Sequence, residues 1–295
     1  MSDTRVTFAR TAVELVESRA DTALLYAEIS GQYFAEAEHR LPDRIVNVGI
    51  REQLLVSAAA GMALAGLRPI AHTFASFLVE RAFEQVKLGF NHQDVGGVLV
   101  SSGGSYDISA GGRTHQAPGD VALMDTLPDW RIHVPGHADE VADALRQAVA
   151  GSGRDYIRVT EAQNSRAHPV RPGAFLPIRH GSRATVVAVG PVLDPVLEAT
   201  AGLDVSVLYA STVRPFDRAG LRRSLDAPDV VLVEPYLAGT STRVVSEALT
   251  DLPHRVLALG VGRTELRRYG TPSEHQAAHG LDAAGIRRSL EGFLS

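Results

Sequence analysis

Short runs of Val, Ile and Leu recur along the whole chain, and they do not alternate with polar residues. GVLV at 97–100, VVAV at 186–189 and VVLV at 230–233 are apolar at every or nearly every position. A strand with one wet face alternates; a strand covered by helices on both sides does not, and such strands belong to parallel sheets. Runs of this kind fall at 22–29, 44–49, 95–102, 130–136 and 156–161, and again at 184–190, 205–211, 229–236 and 255–262, each bounded by Gly, Pro, Asp or similar breakers. Between them, 8–18, 52–65, 77–89, 139–150, 194–201, 240–249 and 283–293 carry helical periodicity. This alternation predicts an α/β protein of two domains, each a mostly parallel sheet covered by helices. The stretch 162–182, AQNSRAHPVRPGAFLPIRHGS, breaks the rhythm with its prolines and glycines. The reading places a first domain at 1–165, a linker at 166–182 and a second domain at 183–295, and a chain of 295 residues is long enough for both.

Composition then removes several classes of function. With no cysteine there is no thiol nucleophile, disulfide frame or Zn–Cys site, and no metal site is assigned to this chain. A formal charge of −5 gives no basic footprint for nucleic acid. No apolar run reaches the roughly 18 residues of a membrane span, and the start MSDTRVTFAR lacks a signal-peptide core. The expectation is a cytoplasmic protein acting on small molecules, with neither nucleic acid nor membrane as partner.

Three segments carry residue types suited to chemistry. RIVNVGIREQ (44–53) ends a strand and opens a helix at Glu52. That carboxylate either complements the helix dipole or stands at a ligand site, since α/β sheets bind ligands beyond the carboxyl ends of their strands. RPIAHTFASFLVERAFEQ (68–85) holds Phe74, Phe77 and Phe83, which are either core residues or an aromatic wall for a heterocycle. SSGGSYDISAGGRTHQ (101–116) is too glycine-rich for a core, suits a binding loop and ends near His115. It is neither a P-loop nor a dinucleotide fingerprint.

Taken in order, the three segments resemble the transketolase family of thiamine diphosphate enzymes, and more narrowly the C-terminal subunit of a split transketolase. GIREQ is similar to the family's Gly-Ile-x-Glu-Gln/His segment, TFASF…RAFEQ to the stretch that packs on the cofactor's aminopyrimidine, and GRTHQ to its substrate loop. The match runs from Thr4 to about Glu161; TVRPFD and VLVEPYLAGTSTRVVSEAL resemble the family's C-terminal domain less specifically. The resemblance implies a pyrimidine-binding domain followed by the C-terminal domain. The family's Gly-Asp-Gly…Asn motif, which holds the diphosphate and Mg2+, has no counterpart in the chain. Thiamine diphosphate therefore implies a partner, an N-terminal transketolase subunit that carries the diphosphate and Mg2+, in an α2β2 assembly, with this chain inactive alone.

The same resemblance implies roles. Glu52 would hydrogen-bond N1′ of the aminopyrimidine and act in proton transfer. Phe77 would stack on that ring, Phe74 would wall the pocket, and Glu28 would lie at the cofactor site. His115 would bond the donor's oxygen as charge develops there. Of the positions with which family members clamp a sugar phosphate, Arg5 fits the first arginine. The family's histidine falls on Gly103, its serine near Gln32, its second arginine on Glu161, and the acid that reads a sugar hydroxyl on Gly111. An acid in place of a phosphate-binding arginine repels the phosphate, which implies an atypical, non-phosphorylated substrate in a two-carbon ketol or similar acyl transfer. Two other functions stay open: the β subunit of a 2-oxo acid dehydrogenase, whose motif reads Ser-Glu-Gln where this chain has Arg51-Glu52-Gln53, and a non-catalytic scaffold partner. In the second half, Tyr236 and His275 have loop-like surroundings, and the domain is assigned to association and stability.

Overall fold

The computed structural model of the protein describes residues 3–267 and 269–295. The strands are β1 (Thr22–Tyr26), β2 (Ile45–Asn47), β3 (Arg68–Phe74), β4 (Gly97–Ser102), β5 (Trp130–His133), β6 (Arg154–Val159), β7 (Leu176–Arg179), β8 (Thr185–Val189), β9 (Ser206–Ala210), β10 (Thr212–Arg214), β11 (Asp229–Leu237) and β12 (Arg255–Val261). They form two sheets, ordered β10-β5-β6-β4-β3-β1-β2 and β12-β11-β8-β9-β7. Every pairing is parallel except at two edges, where β10 runs against β5 and β7 against β9. Helices cover both sheets, so β1, β4, β8 and β9 are buried at every position, as their unbroken apolar sequences require.

Three strands depart from the sequence reading. β3 is central, yet it opens on Arg-Pro and carries His72, and a proline argues against a central strand. Its polar residues are satisfied inside: Arg68 pairs with Asp155 at 3.0 Å, and His72 Nδ1 donates to the Val100 carbonyl at 2.9 Å while Nε2 faces Ser30 Oγ at 3.0 Å. Burial holds His72 neutral, with its pKa pushed down to about 3. The expected linker contains β7, an edge strand of the second sheet. β10, although it follows β9 directly, crosses to the first sheet. The apolar core is accordingly continuous, running from Leu25 and Leu99 through Ile132 and Val134 to Val187, Leu208 and Leu232.

The expected helix 77–89 is two π-helical stretches, Ser76–Arg81 and Lys87–His92, around a short α-helix, Phe83–Val86. Such wide turns are rare and concentrate at functional sites. The first helix, Thr4–Ser18, is capped by Asp3, whose side chain accepts from the Arg5 and Val6 amides at 2.7 and 3.3 Å. Tyr236 and His275 are not loop residues: Tyr236 is buried within β11 with its hydroxyl donating to Glu234 at 3.0 Å, and His275 is buried in the helix Pro272–Ala278.

Candidate active site

The sequence-predicted residues converge on one edge of the first sheet. Glu28, Glu52, Gly103 and Glu161 lie on the connections that leave β1, β2, β4 and β6, and Phe74 ends β3. These are the carboxyl ends of parallel strands, where open α/β sheets bind ligands. The helix Thr4–Ser18 runs against β1, so its first turn reaches the same edge; Thr4 Oγ1 donates to the Thr160 carbonyl at 2.6 Å.

Glu52 opens the helix Glu52–Leu64, and its side chain is only 2% exposed. Arg81 Nη1 donates to its Oε2 at 2.7 Å. The guanidinium carbon of Arg81 stands 4.0 Å from the centre of the Phe77 ring, a distance at which a cation is attracted to a ring face. Phe77 meets His115 edge-on at 5.3 Å and Phe74 at 6.1 Å, and Phe74 meets His115 at 5.9 Å. At the far end Arg5 lies 5.8 Å from the Phe74 ring and 3.8 Å from the Glu161 carboxylate. Glu52, Arg81, Phe77, His115, Phe74, Arg5 and Glu161 thus form one unbroken line of side-chain contacts. A small recess of about 80 Å³ beside Arg5 is lined by Tyr33, Ser102, Gly103, Thr160 and Glu161.

His115 closes a tight turn, Arg113–His115, and is half-buried. Its Nδ1 lies 3.0 Å from Thr114 Oγ1. The two glycines read as lost substrate contacts have steric reasons of their own. At Gly103, φ is +69° and a Cβ would fall 2.4 Å from the Ile108 side chain; at Gly111 a Cβ would fall 2.9 Å from the His115 ring. Glu28 stands apart from the line: it is exposed, in the left-handed region at φ 59°, and its carboxylate takes the Asn47 amide at 3.4 Å. Two residues in this region escaped the sequence reading. Arg81 lies four residues after Phe77, a spacing that puts side chains on one helical face, and that signal was available. Asp107 carried none: it is buried behind Glu161, accepts that residue's backbone N–H at 3.0 Å, and is pushed by burial up to about 7.

Comparison with known proteins bears on the family and the fold. The family model described as transketolase, pyrimidine binding domain, matches residues 1–165. A Rhodococcoides fascians protein, "Uncharacterized 33.6 kDa protein in fasciation locus", is 48% identical over 99% of this chain and 95% of its own length. One of the subunits of the apulose-4-phosphate transketolase of Actinobacillus succinogenes is 30% identical over 83% of each chain. Among solved structures, a split-gene transketolase, titled an inactive beta4 tetramer, superposes with a TM-score of 0.85 at 27% identity, covering 100% of this chain and 99% of its own. Against a 1-deoxy-D-xylulose-5-phosphate synthase of Azoarcus sp. (strain BH72), 31% identical, the chain spans 43% of the longer protein. Among the described residues no helix is long and apolar enough to cross a membrane. On the strength of the model match and the fold, the chain belongs to the transketolase family and is built like the subunit of a split transketolase.

Proposed function

We propose that this chain is the pyrimidine-binding subunit of a two-component, thiamine diphosphate-dependent transferase, and that the enzyme moves a two-carbon ketol or similar acyl unit between substrates lacking a terminal phosphate. The observation that carries the reading is the seat of Arg81. Its guanidinium, planar and rich in N–H donors, stands over Phe77 while donating to the buried Glu52. An aminopyrimidine is also planar and would need the same two contacts, a ring face and a carboxyl partner. The Arg81 side chain is 40% exposed, and turning it toward solvent would open that seat to the ring, so the residues present fit the group.

Bound in that seat, the cofactor supplies a carbon nucleophile at its thiazolium ring. Glu52, at the buried start of its helix, would hydrogen-bond a ring nitrogen of the aminopyrimidine. Phe77 would stack on the ring and Phe74 would wall the pocket beside it; an aromatic stack of this kind contributes about 0.5–1.5 kcal/mol beyond burial. His115, with Nδ1 engaged by Thr114, has Nε2 left to hydrogen-bond a substrate hydroxyl. At the Arg5 end of the line the Arg5 charge is already met by Glu161, so a phosphate there would face an acid beside Arg5.

The diphosphate and Mg2+ would be held by an N-terminal partner subunit, in an α2β2 assembly. Three things support this: the chain carries no Gly-Asp-Gly…Asn motif, one relative is named as one subunit of a transketolase, and the split-gene relative is titled inactive as a tetramer of β chains. On this reading residues 1–165 are the pyrimidine-binding domain and 183–295 the C-terminal domain, joined through 166–182. Calorimetry tests the proposal. The chain alone should bind thiamine diphosphate with Mg2+ weakly or not at all, and tightly once the partner chain is added. Tight Mg2+-dependent binding to the isolated chain would overturn it.

A further inference from the structure

The loop that carries His115 is held from the second half of the chain. Near its start, the Ser105 hydroxyl donates to the Pro235 carbonyl and accepts from Arg158 Nη2 at 2.6 Å; near its end, the Leu237 amide donates to the Pro118 carbonyl at 2.7 Å. Tyr106 stacks on His275 at 5.8 Å with the rings 16° from parallel. These contacts fix the ends of the loop and leave the turn at 109–115 to be explained.

At Gly112 that turn is covered by the Tyr269 side chain. Tyr269 is 67% exposed, a large aromatic with no core to fill. Its ring closes on the backbone of Gly112, where a Cβ would fall 2.8 Å from Tyr269 Cε1 and where φ is +66°. Tyr269 is itself anchored, because His275, 1% exposed, bonds its carbonyl through Nε2 at 2.6 Å. Beside it Arg113 pairs with Glu265 at 3.2 Å, an exposed pair of small worth. On the other side of the same turn, the Gly111 backbone supports the His115 ring. The contacts run from His275 to Tyr269, to Gly112 and Gly111, and so to His115.

We propose that Tyr269 is a positioning residue: its ring packs on Gly112 and holds the 109–115 turn so that His115 faces Phe74 and Phe77. The second half of the chain then shapes the active-site loop, beyond its part in association and stability. The inference rests on the substrate-facing role of His115 given above, and the test separates the two.

Amide hydrogen exchange on the full chain reads the turn directly. The Gly111, Gly112 and His115 amides donate to the carbonyls of Ile108, Ser109 and Gly112 at 3.0, 2.9 and 3.0 Å. Tyr269→Ala should speed their exchange by about tenfold or more while leaving amides in β8 and β11 unchanged, as local opening does. Tyr269→Phe should behave as the wild type, since only the ring is used, and Glu265→Gln should change exchange little. In the assembled enzyme, Tyr269→Ala should lower kcat/KM by about fivefold or more, and adding it to His115→Ala should cost nothing further, as expected when one residue acts through another. Unchanged exchange in Tyr269→Ala, a Phe variant as disturbed as Ala, or additive losses with His115→Ala would overturn the proposal. If His115→Ala leaves turnover intact, the functional reading fails, and the exchange data alone decide the positioning role.

Discussion

The imidazole of His115 rests against the backbone of Gly111, where a Cβ would stand 2.9 Å from the ring. The residue absent at 111 is therefore part of how His115 is placed. Gly111→Asp should push the ring out of its contact with Phe77 and lower kcat/KM of the assembled enzyme by about 10-fold to 100-fold, the scale of a displaced catalytic group. The fold should be unaffected. The check is the His115 to Phe77 ring contact by NMR alongside steady-state kinetics; an undisturbed ring contact would refute it.

Arg81 and Glu52 make a second prediction, measurable on the chain alone. Removing the guanidinium leaves a buried carboxylate without its donor, and an unsatisfied buried group costs about 1–3 kcal/mol. Partial exposure of Arg81 places the loss for Arg81→Met toward the lower end of that range. Glu52→Gln in the same chain removes the charge and should restore most of it. Urea unfolding of the two single variants and the double variant reads both numbers, and a neutral Arg81→Met would contradict the pairing.

Asp107 gives a pH signature with a definite sign. Its carboxyl is raised by burial to about 7, against the opposing charge of Arg158, while the unfolded chain has the ordinary value near 4. Below pH about 4 both states are protonated. Between about 4 and 7 the unfolded state releases the proton first, so this group's contribution to stability falls as pH rises, by at most about 1.4 kcal/mol per pH unit. Above 7 nothing further is lost. His72, pushed down to about 3, acts in the opposite sense over an overlapping range, its contribution to stability being lost as pH falls below about 6.5. The clean observable is therefore the difference between wild type and Asp107→Asn, which should grow steadily in favour of the variant from pH 4 to 7. A difference flat with pH would remove Asp107 from the account.

Substrate charge follows from Arg5 and Glu161. Glu161 is 61% exposed and lies 3.8 Å from Arg5, so the pair itself is weak, and its consequence lies in what Arg5 has left for a ligand. Glu161→Gln should raise kcat/KM for a phosphorylated acceptor relative to its unphosphorylated form by about 3-fold to 10-fold, or 0.7–1.4 kcal/mol. Installing a histidine at Gly103 is not a clean companion test, since φ +69° and the Ile108 side chain both oppose a side chain there. A wild type that already prefers the phosphorylated form by about tenfold would refute this reading of the pocket.

Much of the fold, and the residues of the candidate site, were legible in the sequence because both rest on local patterns. Buried parallel strands announce themselves by unbroken apolar runs, and Glu52, Phe74, Phe77 and His115 sit in short segments whose spacing survives folding. What escaped depends on partners far along the chain. β3 hid behind Pro69 and His72, and His72 is satisfied only by Val100 and Ser30. β10 crosses to a sheet built by the other half of the chain. The reason for Gly103 is a clash with a side chain five residues on, and the reason for Gly112 is a ring from residue 269. Asp107 looks like any loop aspartate until the fold buries it.

The central claim is that Glu52 is the carboxyl partner of a bound aminopyrimidine. The most direct measurement is the rate of C2–H exchange of thiamine diphosphate bound to the assembled enzyme, followed by NMR for wild type and Glu52→Gln. The assembly should stay intact while the variant exchanges about 10²- to 10⁴-fold more slowly, the usual worth of a proton-transfer group. Equal exchange rates in the two proteins, with cofactor bound in both, would contradict it.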